Sequence, residues 1–542
     1  MTQMRFNLLD EPWIDVVTAQ GGMDQVGILD AFRRADELRG LGQDLSTQRF
    51  AILRVLLAFL HRALDGPTRP AWLGLWQDGL DMQSIDAYAE RVRDRFWLVH
   101  PTAPFFQTPT LRATKGPDPG LRKIVADLPD GEPFFTGRTA RDTSRMAWPE
   151  VAVWLIHAQA YDTAGIKTGA EDDPLVIAGK GYGYGLPAWA GQIGGISAQG
   201  ASLRETLLLN LIPVRGTVDD RPAWEREVTT AWRGATTEEQ QSVSGPVHLM
   251  TWQARRLLVV WDGAEAVGLT LSQGDRITPQ NPPLHVVEQM TSWRFSEPQS
   301  KKYGTAIYMP QQHDPTRQAW RGLTRLLGLA QPSRAGKPEV IAPRSQLVEW
   351  LAEVESLIVL PFVRIEMAGY EYGGQNATYA EVIDDSMGIP SMLIDGAAEG
   401  EPWRAAVGDA VQQAEAVAYA VRRFAENLAL ASGQDRADLP QWQEACFAAL
   451  DHPLRGWLAD LRVDGDLTRA RRTWQRRCRD VALGMADELL HNLGPHAHAG
   501  HSSGPDADPV TPAKAHNRLL RALGKTLPLT VPSTVDTPKE DA

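Results

Sequence analysis

The last third of the sequence limits the fold more than any other part. After Pro402, apolar residues recur at spacings of three and four through about 403–432, 438–461, 466–493 and 512–526. That is the period of a helix with one buried face. Gly433, Asp464-Gly465 and Gly494-Pro495 mark the breaks, where glycine permits a left-handed ending and proline stops the helix from resuming. Short connections turn consecutive helices antiparallel, so residues 401–542 are expected to form a four-helix bundle, with a polar, frayed tail after Pro528.

Residues 1–400 carry mixed patterns. FNLLDEPWIDVVTAQGGMDQVGI reads as strand, Gly21-Gly22 turn and strand. Helical spacing of Ile52, Leu53, Leu56, Leu57, Leu60 and Leu64 predicts a helix over 47–64. Further helices are expected over 84–97, from Pro149 to near Asp162, and through SLRETLLLNLIPV with Leu203, Leu207, Leu208 and Leu211 inward. Segments 256–261, 267–271 and 360–367 read as strands, and the Pro/Gly-rich 100–130 as loop. The result is an α+β chain, a large irregular mixed N-terminal domain followed by the bundle. A length of 542 residues exceeds what one core serves.

No apolar run reaches bilayer length and no secretory pattern follows Met1, so a soluble, cytoplasmic chain with no membrane role is expected. Cys446 and Cys478 are the only cysteines, too few for a disulfide framework or a cysteine-rich zinc site. His491, His496, His498 and His501 straddle a helix end and a Gly/Pro/Ser loop without matching ligands, so no metal is expected there. Asp172-Asp173 and Asp384-Asp385 lie in polar contexts suited to solvated surface, and neither H-E-x-x-H nor G-x-S-x-G occurs. No catalytic residue and no cofactor is expected.

Seven glycines fall within 179–195, interleaved with Lys180, Tyr182, Tyr184 and Trp189. Glycine lets a backbone approach its partner closely, and a cation with aromatic rings suits a polar, flat partner such as nucleic acid. A mobile connecting loop is the competing reading. The spacing fits neither a P-loop nor a dinucleotide fingerprint, because Gly181 follows Lys180 and Gly185 comes too early.

A net charge of −12 argues against a free-standing non-specific nucleic-acid binder. Yet residues 461–480 hold seven arginines against three aspartates. Arg469, Arg472, Arg476 and Arg479 recur at helical spacing, either as a phosphate-tracking row or as a solvated face. Lys301-Lys302 reads as a lysine pair in a loop. Tyr370–Ala377 (YEYGGQNA) reads as a hairpin tip presenting Gln375 and Asn376, amides that could also meet bases.

FNLLDEPWIDV, QRFAILRVLLAFLHRAL, VAVWLIHAQAYDTAGIKTG with its glycine-rich sequel, and ETLLLNLIP, in this order, resemble the large-subunit (CasA) family of the type I-E CRISPR Cascade complex. The resemblance covers nearly the whole chain. It implies a non-enzymatic subunit of an RNA-guided complex that recognises a protospacer-adjacent motif in double-stranded target DNA from the minor groove and helps open the duplex. The implied partners are the other Cascade subunits, the guide RNA, the target DNA and a recruited helicase-nuclease. Three devices are implied: a glycine loop among Gly179, Lys180, Gly181, Gly183 and Gly185, a lysine finger at Lys301 or Lys302, and a wedge at Gln375 with Asn376 and Ala377. Phe134, Phe135 and Arg138 match a segment that contacts guide RNA. In the family's wedge asparagine precedes glutamine; here Gln375 precedes Asn376, which leaves the inserting residue open. Outside the resemblance, a free-standing hydrolase or a structural scaffold is the alternative.

Overall fold

The computed structural model describes residues 4–128, 136–139, 141–182, 185–213, 219–233, 242–280, 284–328, 342–395, 397–434, 438–502 and 508–530. The four C-terminal segments are helices over Glu401–Ala431, Pro440–Ala459, Leu467–His491 and Pro512–Thr526. Proline opens three of them within the first turn, where its missing N–H costs nothing. Gly433 ends the first at φ +85°, the left-handed region that glycine enters freely. Val407, Val411, Ala414, Ala418 and Val421 of the first helix are buried, as are Leu454, Trp474, Cys478 and Leu519 of the others. Trp457 and Trp474 pack with ring centroids 5.6 Å apart. Their indole N–H groups donate to the carbonyls of Ala470 at 2.9 Å and Ala410 at 3.2 Å, so neither buried donor is left unpaired.

The chain divides into two compact units. One comprises Met1–Pro315, Pro338–Val359 and Val363–Ser386; the other comprises Thr316–Lys337, Leu360–Phe362 and Met387–Ala542. The bundle thus shares its unit with 316–337 and with the residues just ahead of Glu401.

In the first unit, Ile14–Thr18 and Met23–Val26 form the expected hairpin, turned at Gly21 with φ +84°. Arg5–Asn7 does not belong to it and pairs instead with Trp97–Val99. That pairing corrects the helix expected over 84–97. It ends at Val92, a 3-10 turn covers Arg93–Arg95, and Phe96 and Leu98 enter the core.

Helix Ser46–Ala63 is buried on most of its circumference and packs against helix Trp148–Tyr161. Strand Gly195–Gln199 pairs antiparallel with Phe362–Tyr372, with Gly195 opposite Ala368, and Tyr379–Pro390 completes this central sheet. Arg255–Trp261 and Ala266–Gln273 make a second hairpin. The fold is mixed helix and strand in small sheets with a helical C-terminal region. Among the described residues no helix is long and apolar enough to cross a membrane.

Candidate nucleic-acid interface

The C-terminal end of helix Trp148–Tyr161 organises the region. A helix leaves its last carbonyls without intrahelical partners. Here the Tyr161 carbonyl accepts the hydroxyls of Tyr372 at 2.6 Å and Tyr379 at 3.3 Å. The next residue, Asp162, is buried, with its carboxylate 2.9 Å from the Lys167 ammonium and hydrogen-bonded to Arg255. Burial alone would raise its pKa, but Lys167 and Arg255 outweigh that and hold it below the usual carboxylate range. The Asp162 carbonyl also accepts the Ala188 N–H at 2.9 Å. Asp162 therefore holds both Lys167, on the strand beside the glycine-rich segment, and Ala188 within that segment.

Between those fastenings the segment is not a free loop, which corrects the expectation for Lys180 and Gly181. They form a short strand between Lys167–Thr168 and Val176–Ile177 in an antiparallel sheet. Gly181 is buried and Lys180 exposed. Gly179 turns at φ +72°, and the Thr114 hydroxyl donates to its carbonyl at 3.1 Å. Arg233, paired in the interior with Asp173 at 2.8 Å, donates to the Tyr182 carbonyl at 3.1 Å. Gly183 lies outside the described residues. Gly185, at φ +71°, has open space where a Cβ would stand.

The turn between the two long strands of the central sheet meets this segment directly. Gln375 and Asn376 both adopt positive φ, 57° and 55°, while the glycines before them do not. Asn376 is fixed twice: its carbonyl accepts the Ala164 N–H at 2.7 Å, and its Nδ2 donates to the Gly185 carbonyl at 3.0 Å. Gln375 and Ala377 are exposed, and the Gln375 side chain makes no hydrogen bond among the described residues.

Beneath the turn, Tyr370 and Tyr379 pack with ring centroids 4.6 Å apart. His157 Nε2 lies 3.2 Å from both the Thr47 and the Tyr370 hydroxyl oxygens. Burial lowers the His157 pKa to about 3, so the ring is neutral.

Lys301 and Lys302 stand on a helix, Glu297–Tyr303, which corrects the loop expected there. Ser296 precedes it, Pro298 lies in its first turn, and Gly304 closes it at φ +69°. Both lysines are exposed, Lys301 facing Glu297 at 3.0 Å and Lys302 lying 5.2 Å from the Tyr303 ring centroid. The helix joins two paired strands, Trp293–Phe295 and Tyr308–Pro310. Their base meets the central sheet where Thr291 bridges Gly195 and the His313 ring lies 2.9 Å from the Gly195 carbonyl. Gly195 opens the strand whose partner runs on to the Gln375 turn, so both devices root in one sheet.

Of the segment matched to guide RNA, Phe134 and Phe135 lie outside the described residues. Arg138 is half-buried and engaged by Asp127 at 3.0 Å and by Glu150. In the other unit, Arg469, Arg472 and Arg476 are exposed and Arg479 half-exposed, and none of the four forms an ion pair among the described residues. Their neighbours differ, Arg471 pairing with Asp409 at 3.2 Å and Arg477 with Asp460 at 3.5 Å. Trp474, Cys478, Ala482 and Ala486 occupy the buried face, so helical periodicity sets the four arginines opposite it. No cluster of three or more His, Cys, Asp or Glu side chains suited to a metal exists among the described residues.

Sequence reasoning missed the Asp162–Lys167–Arg255 cluster, whose members are 88 residues apart between Lys167 and Arg255 and carry no local signal.

Residues 7–485 match the family profile of CRISPR-associated protein Cse1. The CasA/Cse1 protein of Thermus thermophilus is 32% identical over 270 residues, which is 49% of this chain and 51% of that protein, so the match spans about half of each. The crystal structure of Thermobifida fusca Cse1 superposes with a TM-score of 0.86 at 37% identity, covering 97% of this chain and 99% of that one. A chain from a CRISPR RNA-guided surveillance complex shares the fold, with a TM-score of 0.70 at 18% identity over 97% of this chain.

Proposed function

The chain belongs to the CRISPR-associated Cse1 family, and on that footing we propose that it is the subunit of an RNA-guided surveillance complex that recognises a short motif in double-stranded DNA and starts strand separation. In this reading, base pairing with the guide reads the target sequence while the protein reads the motif and duplex shape. Other subunits hold most of the RNA, which suits a net charge of −12 on this chain.

The observation that carries the proposal is the hydrogen bond from Asn376 to the Gly185 carbonyl. It joins the glycine-rich segment to the turn that bears Gln375. Gly185 and Gln375 are thereby brought together, with bare backbone for close approach and an unengaged amide for the gap between bases, and the exposed Lys180 of the neighbouring strand supplies a cation for phosphate. Gln375, not Asn376, is the inserting group, because the Asn376 amide is already engaged by Gly185. Ala377 flanks it as a small neighbour.

Lys301 or Lys302 reaches the motif base pairs or adjacent phosphates from a helix rooted in the same sheet. Arg469, Arg472, Arg476 and Arg479 follow a nucleic-acid backbone, and Arg138 with Phe134 and Phe135 faces the guide RNA. Once the duplex is open, the complex recruits the helicase-nuclease. A hydrolytic role has no support in the buried histidines: His157 is fully enclosed and hydrogen-bonded to Thr47 and Tyr370.

The test is co-purification with guide RNA and partner subunits, followed by titration with duplexes that differ only in the motif. Motif-dependent binding by that complex supports the proposal. Equal binding to motif-bearing and scrambled duplexes, or no assembly with RNA, contradicts it.

A further inference from the structure

One glycine of the glycine-rich segment owes its place to the hairpin that bears Gln375. Gly191 is buried in the 3-10 turn Trp189–Gln192. A Cβ there would overlap the hydroxyl and ring of Tyr372. The Gly191 backbone does not adopt a positive φ. Conformation therefore does not demand glycine at this position, but room for the phenol does.

Tyr372 lies on a stretch of hairpin that needs support. The register between Gly195–Gln199 and Phe362–Tyr372 ends with Gly195 opposite Ala368. Beyond it, among the described residues, the sheet runs to the turn at Gly374–Asn376 as two strands. A two-stranded ribbon is marginal by itself in water. The hydroxyls of Tyr372 and Tyr379, one from each strand, donate to the Tyr161 carbonyl at 2.6 and 3.3 Å. A carbonyl oxygen offers two lone pairs, and the two phenols fill them. The helix that they grip is buried from Val151 almost without break to Tyr161. Burial raises both phenol pKa values well above their ordinary range, so each stays protonated and able to donate.

We propose that Tyr372, Tyr379 and Gly191 are positioning residues for strand separation. The phenols anchor the hairpin to a rigid helix end, so that Gln375 keeps its place when base pairs close against it. Gly191 leaves room for the shorter of the two bonds. An inserted side chain offsets the cost of unstacking only if its own support stays fixed. The inference rests on the opening role proposed for Gln375 and adds the residues through which that role acts.

The test uses the assembled guide-RNA complex, a motif-bearing duplex and a fluorescent base analogue that reports opening. Tyr372→Phe and Tyr379→Phe keep the rings and remove only the hydroxyls. Tyr372→Phe should slow opening about fivefold, and Tyr379→Phe, whose bond is longer, by less. Gly191→Ala leaves every hydroxyl in place but displaces Tyr372, and should match Tyr372→Phe. Initial duplex binding and its salt slope should remain those of the parent, because no phosphate contact is lost. The deciding readout is the cycle with Gln375→Ala. Phenols that act through Gln375 should have no further effect on opening once its side chain is gone. A merely structural role would instead slow opening by the same factor in either background.

Parental opening rates for Tyr372→Phe and Gly191→Ala would overturn the proposal, and so would equal slowing with and without Gln375. Should Gly191→Ala fail to assemble, the two phenylalanine variants decide the matter by the same cycle. If Gln375→Ala itself opens intact duplex at the parental rate, the opening role fails, whatever the tyrosine variants do.

Discussion

The side chain of Asn376 donates to the carbonyl of Gly185 at 3.0 Å across 191 residues of chain. The bond fixes the tip of the central sheet to the end of the glycine segment. It also divides the labour between adjacent amides, since Asn376 is held and Gln375 is exposed and unengaged.

That division predicts different phenotypes for neighbouring substitutions. Asn376→Ala removes a hydrogen bond and should lower stability by about 1 kcal/mol, with faster amide exchange at 374–378. Gln375→Gly relieves a left-handed conformation at φ 57° and should raise stability by up to about 1 kcal/mol. Chemical denaturation of the two variants beside the parent checks both signs. Equal destabilisation would show that Gln375 is also a structural contact.

The glycines should also separate. Gly181 is buried, yet a Cβ there would meet the Thr168 carbonyl at 3.5 Å, an ordinary contact. Gly181→Ala is therefore expected to bind motif DNA like the parent. Gly185 has space for a Cβ but a φ of +71° that disfavours one, so Gly185→Ala should cost about 1 kcal/mol and displace the carbonyl that Asn376 holds. Duplex affinity measured for both variants decides whether backbone conformation at Gly185 matters more than bulk at Gly181.

Much of this fold was legible in the sequence where periodicity ran long. The bundle helices declared themselves through uninterrupted helical spacing between glycine and proline breaks, and Pro149 opened its helix as expected. Strand Tyr379–Pro390 was not legible, because YAEVIDDSMGIP mixes acids with apolar residues and its pairing partner is set by the turn, not by its own pattern. Helix Glu297–Tyr303 carried its signals, serine before, proline in the first turn and glycine after, but seven residues gave no apolar period to notice. For the site, composition pointed to the glycine segment and the amide turn separately. Their joining by Asn376 and by the Asp162 cluster depends on contacts between distant segments, which no local pattern encodes.

Stability should depend on pH through buried histidines. Burial lowers the pKa of His61 to about 4 and of His157 to about 3, from an ordinary 6.5. Below pH 6.5 the unfolded chain takes up protons that the folded one refuses, so stability falls as pH drops from 6.5 towards 4 and 3. Each histidine contributes about 1.4 kcal/mol per pH unit in that window. His157→Gln keeps a hydrogen-bonding group and should flatten the slope between roughly pH 6.5 and 5 by about that amount. An unchanged slope would mean that His157 titrates normally in the folded protein.

The arginine face of helix Leu467–His491 predicts a salt effect without a stability effect. Arg472→Ala with Arg476→Ala should leave the denaturation midpoint near the parent's, because exposed, unpaired charges contribute little to folding. The complex should lose DNA affinity and show a salt slope smaller by about 2, roughly 0.9 for each phosphate that is no longer neutralised. Failed subunit assembly with an unchanged slope would assign the face to an acidic partner instead.

The most direct test of the central claim is the rate of duplex opening by the assembled complex, followed with a fluorescent base analogue beside the motif. The account predicts that Gln375→Ala slows opening on intact motif-bearing duplex while initial binding is nearly preserved, and that a duplex already mismatched at that step restores the parental rate. A Gln375→Ala complex that opens intact duplex as fast as the parent, or one that mismatches fail to rescue, would contradict it.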